Sequence, residues 1–251
     1  MSKKLVALIT GASRKIGIGA AIARTLADAG WEIAISYWRP YDAEMAWGSD
    51  PAEVEALLAE IRRSSPDAVG IEADLSAPEA PKQVFDFVEQ NLGTVTALII
   101  SHCQSIDSDI LTTSLESFDK HFAINTRATW LLIKEFGLRY QSDHGSGRIL
   151  SITSDHTAGN LPYGASKGGM DRIVLAAAHE FKHLGITANV INPGPTDTGW
   201  IDDDLKSAII DTTPLGRLGI PQDCANLVRF LCSAEGGWVN GQLLKSNGGF
   251  S

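Results

Sequence analysis

The chain begins with an apolar run, a glycine-rich turn and a helical pattern, in that order. Residues 5–9 (Leu-Val-Ala-Leu-Ile) are continuously apolar, which is typical of a parallel strand buried on both faces. The turn that follows contains Gly11, Gly17 and Gly19, and residues 20–30 show the periodicity of an amphipathic helix. Glycines let the backbone approach a pyrophosphate, and a helix N-terminus favours its negative charge. This unit therefore predicts a dinucleotide-binding site.

The alternation of short apolar runs with helical patterns continues along the whole chain. Further strands are predicted at residues 31–36, 68–73, 95–100, 148–153, 187–191 and 241–245. Helices are predicted at residues 53–62, 84–92, 115–140, 163–178 and 224–231. Such alternation is typical of a doubly wound parallel sheet. No linker or repeat divides the chain, so residues 1–251 are predicted to form a single α/β domain of the Rossmann type, with about seven strands and helices on both faces.

Composition excludes several classes of protein. The 21 Lys and Arg residues against 30 Asp and Glu give a net charge of −9, which argues against binding to nucleic acid or anionic membrane. The N-terminal apolar run is too short for a signal peptide, and no later run spans a bilayer. Cys103, Cys224 and Cys232 lack metal-ligand spacing and suit a reducing compartment. We therefore expect a cytoplasmic protein without a metal site.

Tyr163 and Lys167 form a candidate acid–base pair. They stand four residues apart ahead of an apolar run, so a helix there places both side chains on one face. The ammonium favours the phenolate and is expected to lower the tyrosine pKa from about 10. A general acid works best with a pKa near the operating pH, so the pair is suited to protonating a carbonyl during its reduction. Asn125, a poor residue for a helix interior, lies in the middle of another predicted helix and suggests a polar task there.

The ends of the second and third strands bear on the choice of cofactor. Residues 36–39 (Ser-Tyr-Trp-Arg) contain no acid for the ribose 2′-OH of NAD, while Arg39 and Arg14 are placed to accommodate the 2′-phosphate of NADP. NADP(H) is therefore favoured over NAD(H), although Arg39 is equally compatible with a solvated loop. Asp74 ends the third strand and is expected to contact the ligand, to cap the following helix, or both. Residues 40–51 are expected to be a long loop that covers the adenosine end or packs on a neighbouring subunit.

In this order the motifs resemble those of the short-chain dehydrogenase/reductase family over nearly the whole length, nearest to the 3-oxoacyl-thioester (acyl-carrier-protein) reductases. The family turn is Thr-Gly-x-x-x-Gly-x-Gly, which this chain matches only with two extra residues, so a longer phosphate loop is expected. The resemblance implies that the catalytic residues are Asn125, Ser154, Tyr163 and Lys167. In this scheme Asn125 bends the long helix and holds a water, and Ser154 polarises the substrate oxygen.

Cofactor binding and substrate binding are assigned from the resemblance and from the placements above. The cofactor residues expected are Gly11, Ser13, Arg14, Gly17, Ile18, Arg39, Asp74, Leu75, Ser101, Tyr163, Lys167, Pro193, Gly194, Thr196 and Thr198. Thr196 is the first choice for the nicotinamide carboxamide and Thr198 the second. The substrate residues expected are His102, Gln104, His156, Asn160 and Trp200. They offer polar and aromatic contacts and favour a small polar carbonyl or alcohol as the substrate.

Two departures from the family pattern concern the substrate side. Residues 100–103 (Ile-Ser-His-Cys) replace the usual Asn-Asn-Ala-Gly, and His102 either reflects drift or reaches the substrate. Ser154 lies nine residues before Tyr163, where the family more often has twelve or thirteen. The loop at 155–162 is therefore short and is expected to open the pocket or shift its floor. The short spacing also makes Thr153 an alternative to Ser154.

The resemblance implies hydride transfer between a nicotinamide and a ketone or secondary alcohol. Tyr163 would protonate the alkoxide, and Lys167 would lower the tyrosine pKa and bind the nicotinamide ribose. A thioester on an acidic acyl carrier would need a basic patch, for which Arg127, Arg139, Arg172 and Lys182 are available, but the net charge does not favour it. A small ketone is at least as compatible. The alternative from another class is a non-catalytic NADP(H)-binding sensor or scaffold.

A homo-oligomer, either a tetramer or a dimer, is also expected. Members of the family pair through the long helices that here contain Asn125 and Tyr163. The apolar side chains of these helices exceed what one sheet face needs; they are Phe118, Phe122, Trp130 and Phe136.

Overall fold

A computed structural model describes residues 4–250 of the chain. Its strands are β1 (Val6–Thr10), β2 (Glu32–Tyr37), β3 (Val69–Glu72), β4 (Ala97–Ile100), β5 (Arg148–Ile152), β6 (Thr187–Asn192) and β7 (Leu243–Lys245). The seven strands form one sheet in the order β3-β2-β1-β4-β5-β6-β7, and every neighbouring pair is parallel. The prediction of a doubly wound parallel α/β sheet is confirmed, with strand ends within about two residues of those expected.

Nine α-helices connect or follow these strands in the described part of the chain. They are α1 (Ile18–Asp28), α2 (Arg39–Glu44), α3 (Pro51–Ile61), α4 (Ala80–Asn91), α5 (Leu115–His121), α6 (Ala128–Arg139), α7 (Leu161–Glu180), α8 (Asp203–Thr212) and α9 (Pro221–Cys232). The long helix predicted at 115–140 is continuous but contains a π-helical turn, Phe122–Arg127, between α5 and α6. Within residues 4–250, no helix is long and apolar enough to cross a membrane.

Two helices were not predicted. The prediction of a long loop at residues 40–51 was partly wrong, because residues 40–44 belong to α2, which has a proline in its first turn. Six residues are too few to show a helical period in the sequence, which explains the omission. The second, α8, was overlooked although Leu205, Ala208 and Ile209 stand at helical spacing, and in the structure it has no buried residue.

The sheet is buried on both faces, and successive residues of each strand alternate between two cores. Ile9 and Ile33 face the core covered by α1, α3 and α9, whereas Leu8 and Ala34 face the core covered by α4, α6 and α7. This burial explains why the central strands β1 and β4 are nearly all apolar in the sequence, whereas the edge strands β3 and β7 are only partly buried. It also leaves the loops beyond the carboxyl ends of the strands as the place where polar side chains gather.

The order of the strands reverses between β1 and β4, whose carboxyl ends are Thr10 and Ile100. In open α/β sheets, ligands bind in the crevice outside such a reversal point. Nearly all residues predicted for the site follow a strand end at this edge. We call this region the crevice, and the segments that follow β1, β2, β4, β5 and β6 form its walls.

Candidate active site

The glycine turn after β1 packs tightly against the segment after β4. Gly11 has a φ of +73°, and a Cβ atom there would lie 2.5 Å from the Cα of His102. A Cβ on Gly19 would lie 2.8 Å from the Gly11 carbonyl oxygen. Gly17 caps α1 without a side-chain bond, and the first turn of α1 contains no acid. The turn therefore presents a close backbone and an uncapped helix N-terminus, which fit a pyrophosphate.

The two extra residues of the turn are held by α1 and α3. The Lys15 amide donates to Glu53 at 2.6 Å, and the Lys15 ammonium pairs with Glu60. Arg24 donates to the Lys15 carbonyl at 2.9 Å and to Glu60 at 2.9 Å. These contacts direct the Lys15 charge towards α3. Its neighbour Arg14 is thus the cation of the turn that remains for a ligand.

Arg14 and Arg39, the two arginines assigned to the cofactor, are in different situations. Arg39 forms a bidentate pair with Glu72, with Nε–Oε1 at 3.0 Å and Nη2–Oε2 at 2.5 Å. The Arg14 guanidinium forms no hydrogen bond or ion pair with any residue between 4 and 250, and it lies over the Trp47 ring at 4.2 Å. Burial lowers the pKa of Arg14, opposed by the charges of Asp42 and Glu53. Arg14 is consequently the better-placed of the two for an anion.

The ends of β3 and β4 complete the cofactor side of the crevice. Asp74 accepts from the Ser76 amide at 2.9 Å, so it stabilises the turn before α4. It is not the helix cap, as one alternative had it, because α4 begins after Glu79. Ser101 donates its amide to the Thr10 hydroxyl at 3.2 Å, which joins the ends of β1 and β4. Leu75 is buried beside them.

Asn125 is fully buried in the π-helical turn and braces two neighbouring segments. Its Oδ1 accepts from the Gln104 amide at 2.7 Å, and its Nδ2 donates to the Gln104 carbonyl at 2.9 Å. The same Nδ2 donates to the Ser166 hydroxyl on α7 at 2.8 Å. Both amide hydrogens are thus used within the protein, so the side chain ties the Gln104 segment to α7, and the expectation that Asn125 holds a water stays a prediction.

Lys167 is buried on α7, one turn beyond Tyr163, as the spacing predicts. Its ammonium donates to the Ile152 carbonyl at 2.9 Å and to the His102 carbonyl at 3.4 Å, and lies 5.8 Å from the centre of the Tyr163 ring. Burial lowers the pKa of Lys167. Carbonyls of the segments at the ends of β4 and β5 therefore hold the cation close to the phenol ring.

The pKa of Tyr163 differs from the expectation. Burial raises it above the ordinary value of 10, and the nearby Cys103 raises it further, whereas the hydrogen bond with Ser154 lowers it. The expectation of a pKa below 10 is therefore contradicted, because desolvation of the buried phenolate outweighs the favourable effect of an ammonium that is itself bonded to carbonyls. Tyr163 is thus held in its protonated form, as a proton donor requires.

The short loop before Tyr163 is pressed against the first turn of α7. The Ser154 hydroxyl accepts from the His156 amide at 3.2 Å. The His156 carbonyl approaches Gly164 so closely that no Cβ atom fits there. The alternative, Thr153, is buried, and its hydroxyl interacts with Asp171 of α7. Ser154 is therefore the hydroxyl beside the phenol, and the shortened loop packs against the first turn of α7. Its effect on the pocket stays a prediction.

Two of the predicted substrate residues, His102 and Asn160, form hydrogen bonds to other parts of the protein. The His102 ring joins β1 to the π-helical turn, with Nδ1 2.7 Å from the Thr10 hydroxyl and Nε2 3.0 Å from the Ile124 carbonyl. Burial and the Lys167 charge lower the His102 pKa to about 3, so the ring is neutral. Asn160 donates to Ser105 at 2.9 Å and to Asp107 at 2.6 Å. Both ring nitrogens of His102 are thus used inside the protein, which disfavours substrate contact by its ring. Asn160 Oδ1 has no hydrogen-bond partner among residues 4–250, so substrate contact by Asn160 stays a prediction.

The other predicted substrate residues differ in accessibility. Gln104 is buried, and its backbone is the part held by Asn125. His156 is exposed in the short loop, and Trp200 is 43% exposed in the segment after β6. Phe136, which was assigned to an oligomer surface, is instead in the core, 1% exposed.

The segment after β6 supplies a threonine to the crevice. The buried Thr196 hydroxyl donates to the Gly194 carbonyl at 3.1 Å. Thr198 is half-buried, and its side chain has no hydrogen-bond partner among residues 4–250. The first choice for the carboxamide, Thr196, is therefore the less available of the two. Gly194, with a φ of +63°, follows Pro193 and donates its amide to Asn192 at 3.0 Å.

Sequence reasoning missed the residues that the segment after β2 brings over the crevice. The Tyr41 hydroxyl donates to the Ser105 carbonyl at 3.4 Å, and burial raises its pKa. Asp42 is buried and accepts from the Trp47 indole at 3.0 Å. Trp47 packs edge-on against Trp200, with ring centres 4.6 Å apart. In the sequence, these residues stand out only as large or charged side chains within a stretch that is rich in turn-forming residues.

Comparisons with known proteins agree with this geometry. A family profile described as Enoyl-(Acyl carrier protein) reductase matches residues 11–251. Uncharacterized oxidoreductase YjdA of Bacillus subtilis (strain 168) is 36% identical over 99% of this chain and 98% of its own length. The NADPH-dependent aldehyde reductase-like protein, chloroplastic, of Arabidopsis thaliana is 36% identical over 98% of this chain and 93% of its own length.

Solved structures agree as well. A short chain dehydrogenase from Burkholderia cenocepacia J2315 in complex with NADP has a TM-score of 0.85 at 29% identity, covering 97% of this chain and 96% of that one. The similarity thus extends over the sheet, the glycine turn and the Tyr163–Lys167 helix. This chain belongs to the short-chain dehydrogenase/reductase family and is an NAD(P)-dependent oxidoreductase.

Proposed function

We propose that this protein is an NADPH-dependent reductase of small aldehydes or ketones, with Tyr163 as the general acid. The observation that carries the proposal is the meeting of three groups beyond β5 at the crevice. Ser154 hydrogen-bonds to the Tyr163 phenol, and the Lys167 ammonium is buried behind it. A carbonyl oxygen placed between the serine and tyrosine hydroxyls receives two hydrogen bonds, which stabilise the charge that develops during reduction.

Each residue of the site has a defined task in this scheme. The bound nicotinamide supplies the hydride. Tyr163 donates its proton to the alkoxide oxygen, and Ser154 donates a hydrogen bond to the same oxygen. Lys167 provides positive charge behind the phenol, which favours the phenolate left after proton transfer. Asn125 acts by holding Gln104 and the start of α7 in register.

The choice of NADPH rests on Arg14. A guanidinium without an acidic partner beside the glycine turn suits the 2′-phosphate, whereas Arg39 must first leave Glu72. In support, one relative is named as NADPH-dependent and one similar structure contains NADP. Thr198 is the residue we assign to the carboxamide, with Thr196 as a support for its segment.

A small carbonyl is favoured over a thioester on an acyl carrier. The basic patch that a carrier needs is weakened, because Arg139 is paired with Asp86, Glu89 and Glu135 at 2.8, 3.0 and 2.8 Å. Arg127 donates to the Ser76 carbonyl. Both cations therefore serve the fold, and the remaining substrate contacts come from the short loop and the segment after β6.

The decisive experiment is NADPH oxidation by the purified protein against a panel of aldehydes, ketones and a 3-oxoacyl thioester, with Tyr163→Phe as the control. We expect turnover of at least one small carbonyl and a loss of about a thousandfold in the variant, with NADPH binding retained. Binding of NADPH without oxidation for any substrate would favour the sensor or scaffold instead.

Self-association is proposed from the surface around the π-helical turn. Trp130 is 49% exposed, and Phe118 stacks on Phe122 with ring centres 4.6 Å apart. These helices border a cavity of about 650 Å³ whose lining includes Phe122, Trp130 and Ile173. An apolar surface of this kind suits a homodimer or homotetramer. Light scattering on the purified protein tests this, and cell fractionation tests the expected cytoplasmic location.

A further inference from the structure

Two loops meet above the crevice although their strands are not neighbours. The sheet order places β4 and β5 between β1 and β6, so the ends of these strands are about 14 Å apart at the usual strand spacing. Nevertheless, a Cβ atom on Gly199, after β6, would lie 3.0 Å from Nη2 of Arg14, after β1. The glycine turn and the segment after β6 therefore touch each other across the crevice.

A third segment reaches the same point from the β2 side. We call residues 39–48 the flap. Its Trp47 ring lies under the Arg14 guanidinium at 4.2 Å and packs against Trp200 at 4.6 Å with an interplanar angle of 61°. Such cation–π and edge-on aromatic contacts are attractive beyond the burial of their area. We call Arg14, Trp47 and Trp200 the clasp.

The flap is held at several points along its length. The Trp47 indole donates to buried Asp42 at 3.0 Å, and Glu44 pairs with Lys120 of α5 at 3.6 Å. Tyr41 donates to the Ser105 carbonyl, so the flap also contacts the segment after β4. The flap thus crosses from the end of β2 to the far wall of the crevice. These contacts fix the position of the flap, which is therefore not a freely solvated loop.

We infer that the clasp closes over the phosphate end of the crevice and sets the rate at which the coenzyme leaves. This inference rests on the proposed function, because the crevice must first accept a dinucleotide. A coenzyme lying along the glycine turn passes beneath the contact of Arg14, Trp47 and Trp200. Its release then requires that Trp47 separate from Trp200 and that the flap move away from Arg14. Trp47 and Trp200 are positioning residues that act through Arg14 and through closure.

The test is the dissociation rate of NADPH, measured by mixing the loaded protein with excess NADP⁺ and following nicotinamide fluorescence. We expect Trp47→Ala and Trp200→Ala each to accelerate NADPH dissociation about tenfold. Trp47→Phe keeps an aromatic ring, so its dissociation rate should return most of the way to that of the wild type. Because the two rings act through one contact, the double variant should be no faster than the faster single one. The control is Trp238→Ala, whose ring is 97% exposed.

The inference is overturned if both alanine variants release NADPH at close to the wild-type rate, or if their effects multiply in the double variant. Thermal melting shows whether each variant is folded. If Trp47→Ala does not fold, Trp200→Ala and Trp47→Phe decide the outcome from the two sides of the contact. If the protein binds NADH and not NADPH, the same dissociation rates are measured with NADH. The test therefore does not depend on the coenzyme preference or on whether the protein reduces a ketone. A wild-type protein that binds neither coenzyme contradicts both proposals.

Discussion

The catalytic end and the phosphate end of the crevice are built differently. At the catalytic end, Asn125 and Lys167 are buried, and the donor groups of their side chains bond to backbone carbonyls or to Ser166. At the phosphate end, the Arg14 guanidinium has no hydrogen-bonded partner among the described residues and lies over the ring of Trp47, which in turn packs against the partly exposed Trp200. The first arrangement fixes geometry through directional bonds, while the second relies on non-directional contacts that can separate. A fixed reaction centre beside a releasable coenzyme requires this contrast.

The largest expected effect comes from removing the brace at the catalytic end. Asn125→Ala leaves the Gln104 amide and carbonyl unpaired in a buried place, which should lower the free energy of unfolding by about 3 kcal/mol. The matched control is Asn226→Ala on the exposed side of α9, which should change it by less than about 0.5 kcal/mol. Urea unfolding measures both, and equal shifts would contradict the view that the catalytic end is held by directional bonds.

The next effect concerns the short loop before Tyr163. Gly164→Ala places a methyl group against the His156 carbonyl, so we expect a loss of about 2 kcal/mol in stability together with a lower kcat. Gly168→Ala, one turn further along α7, has open space at its Cβ and should be neutral or stabilising by about 0.5 kcal/mol. Unfolding and steady-state kinetics on both variants decide this. A fully active Gly164→Ala would mean that the loop does not position Ser154.

At the phosphate end, the two arginines should differ in their effect on coenzyme binding. Arg14→Gln should weaken NADPH binding about tenfold while leaving NADH nearly unchanged, because one charge-assisted contact to the 2′-phosphate is lost. Arg39→Gln should have a smaller effect, since Glu72 already neutralises that guanidinium. Fluorescence titration with both coenzymes measures this, and equal affinity of the wild type for NADPH and NADH would refute the assignment.

The smallest expected effect is the response of the His102 bridge to acid. Its folded pKa of about 3 lies below the ordinary value of 6.5, so the unfolded chain binds the proton first as the pH falls. The stability due to the neutral ring is complete above pH 6.5 and is lost as the pH falls towards 3. Between pH 7 and pH 5.5 the wild type should lose about 1 kcal/mol more than His102→Gln, which does not titrate. If urea unfolding shows that the wild type and His102→Gln lose the same free energy of unfolding over this pH range, His102 protonates freely in the folded state.

The sheet and the catalytic pair were predictable because local pattern determines both. Residues 148–153 contain Ile149, Leu150 and Ile152 in a short stretch, and β5, fully buried, was found at Arg148–Ile152. The four-residue spacing of Tyr163 and Lys167 places them on one face of α7 wherever that helix lies. The position of Asn125 in a long helix was also predictable. Its π-helical turn was not, because that turn depends on the bonds to Gln104 and Ser166 from other segments.

The electrostatics of the site and the tasks of its loop residues could not be read from the sequence. Spacing suggested that Lys167 lowers the pKa of Tyr163, but the depth of burial, which depends on every surrounding segment, raises it. A histidine after β4 is compatible with substrate contact until its partners, Thr10 and Ile124, are known. Likewise, Arg14 and Arg39 are equivalent cations in the sequence, and only Glu72 on the neighbouring strand separates them.

The sequence by itself determined the order of strands and helices, the glycine turn and the identity of the reacting groups, because apolar periodicity and residue spacing act over a few residues. The tertiary structure alone decided how the crevice is closed. Arg14, Trp47 and Trp200 lie in three segments that follow β1, β2 and β6, and nothing in their local sequences requires them to meet. They meet because the sheet order brings three loops over one reversal point, where Trp47 gains a cation–π contact with Arg14 and an edge-on contact with Trp200.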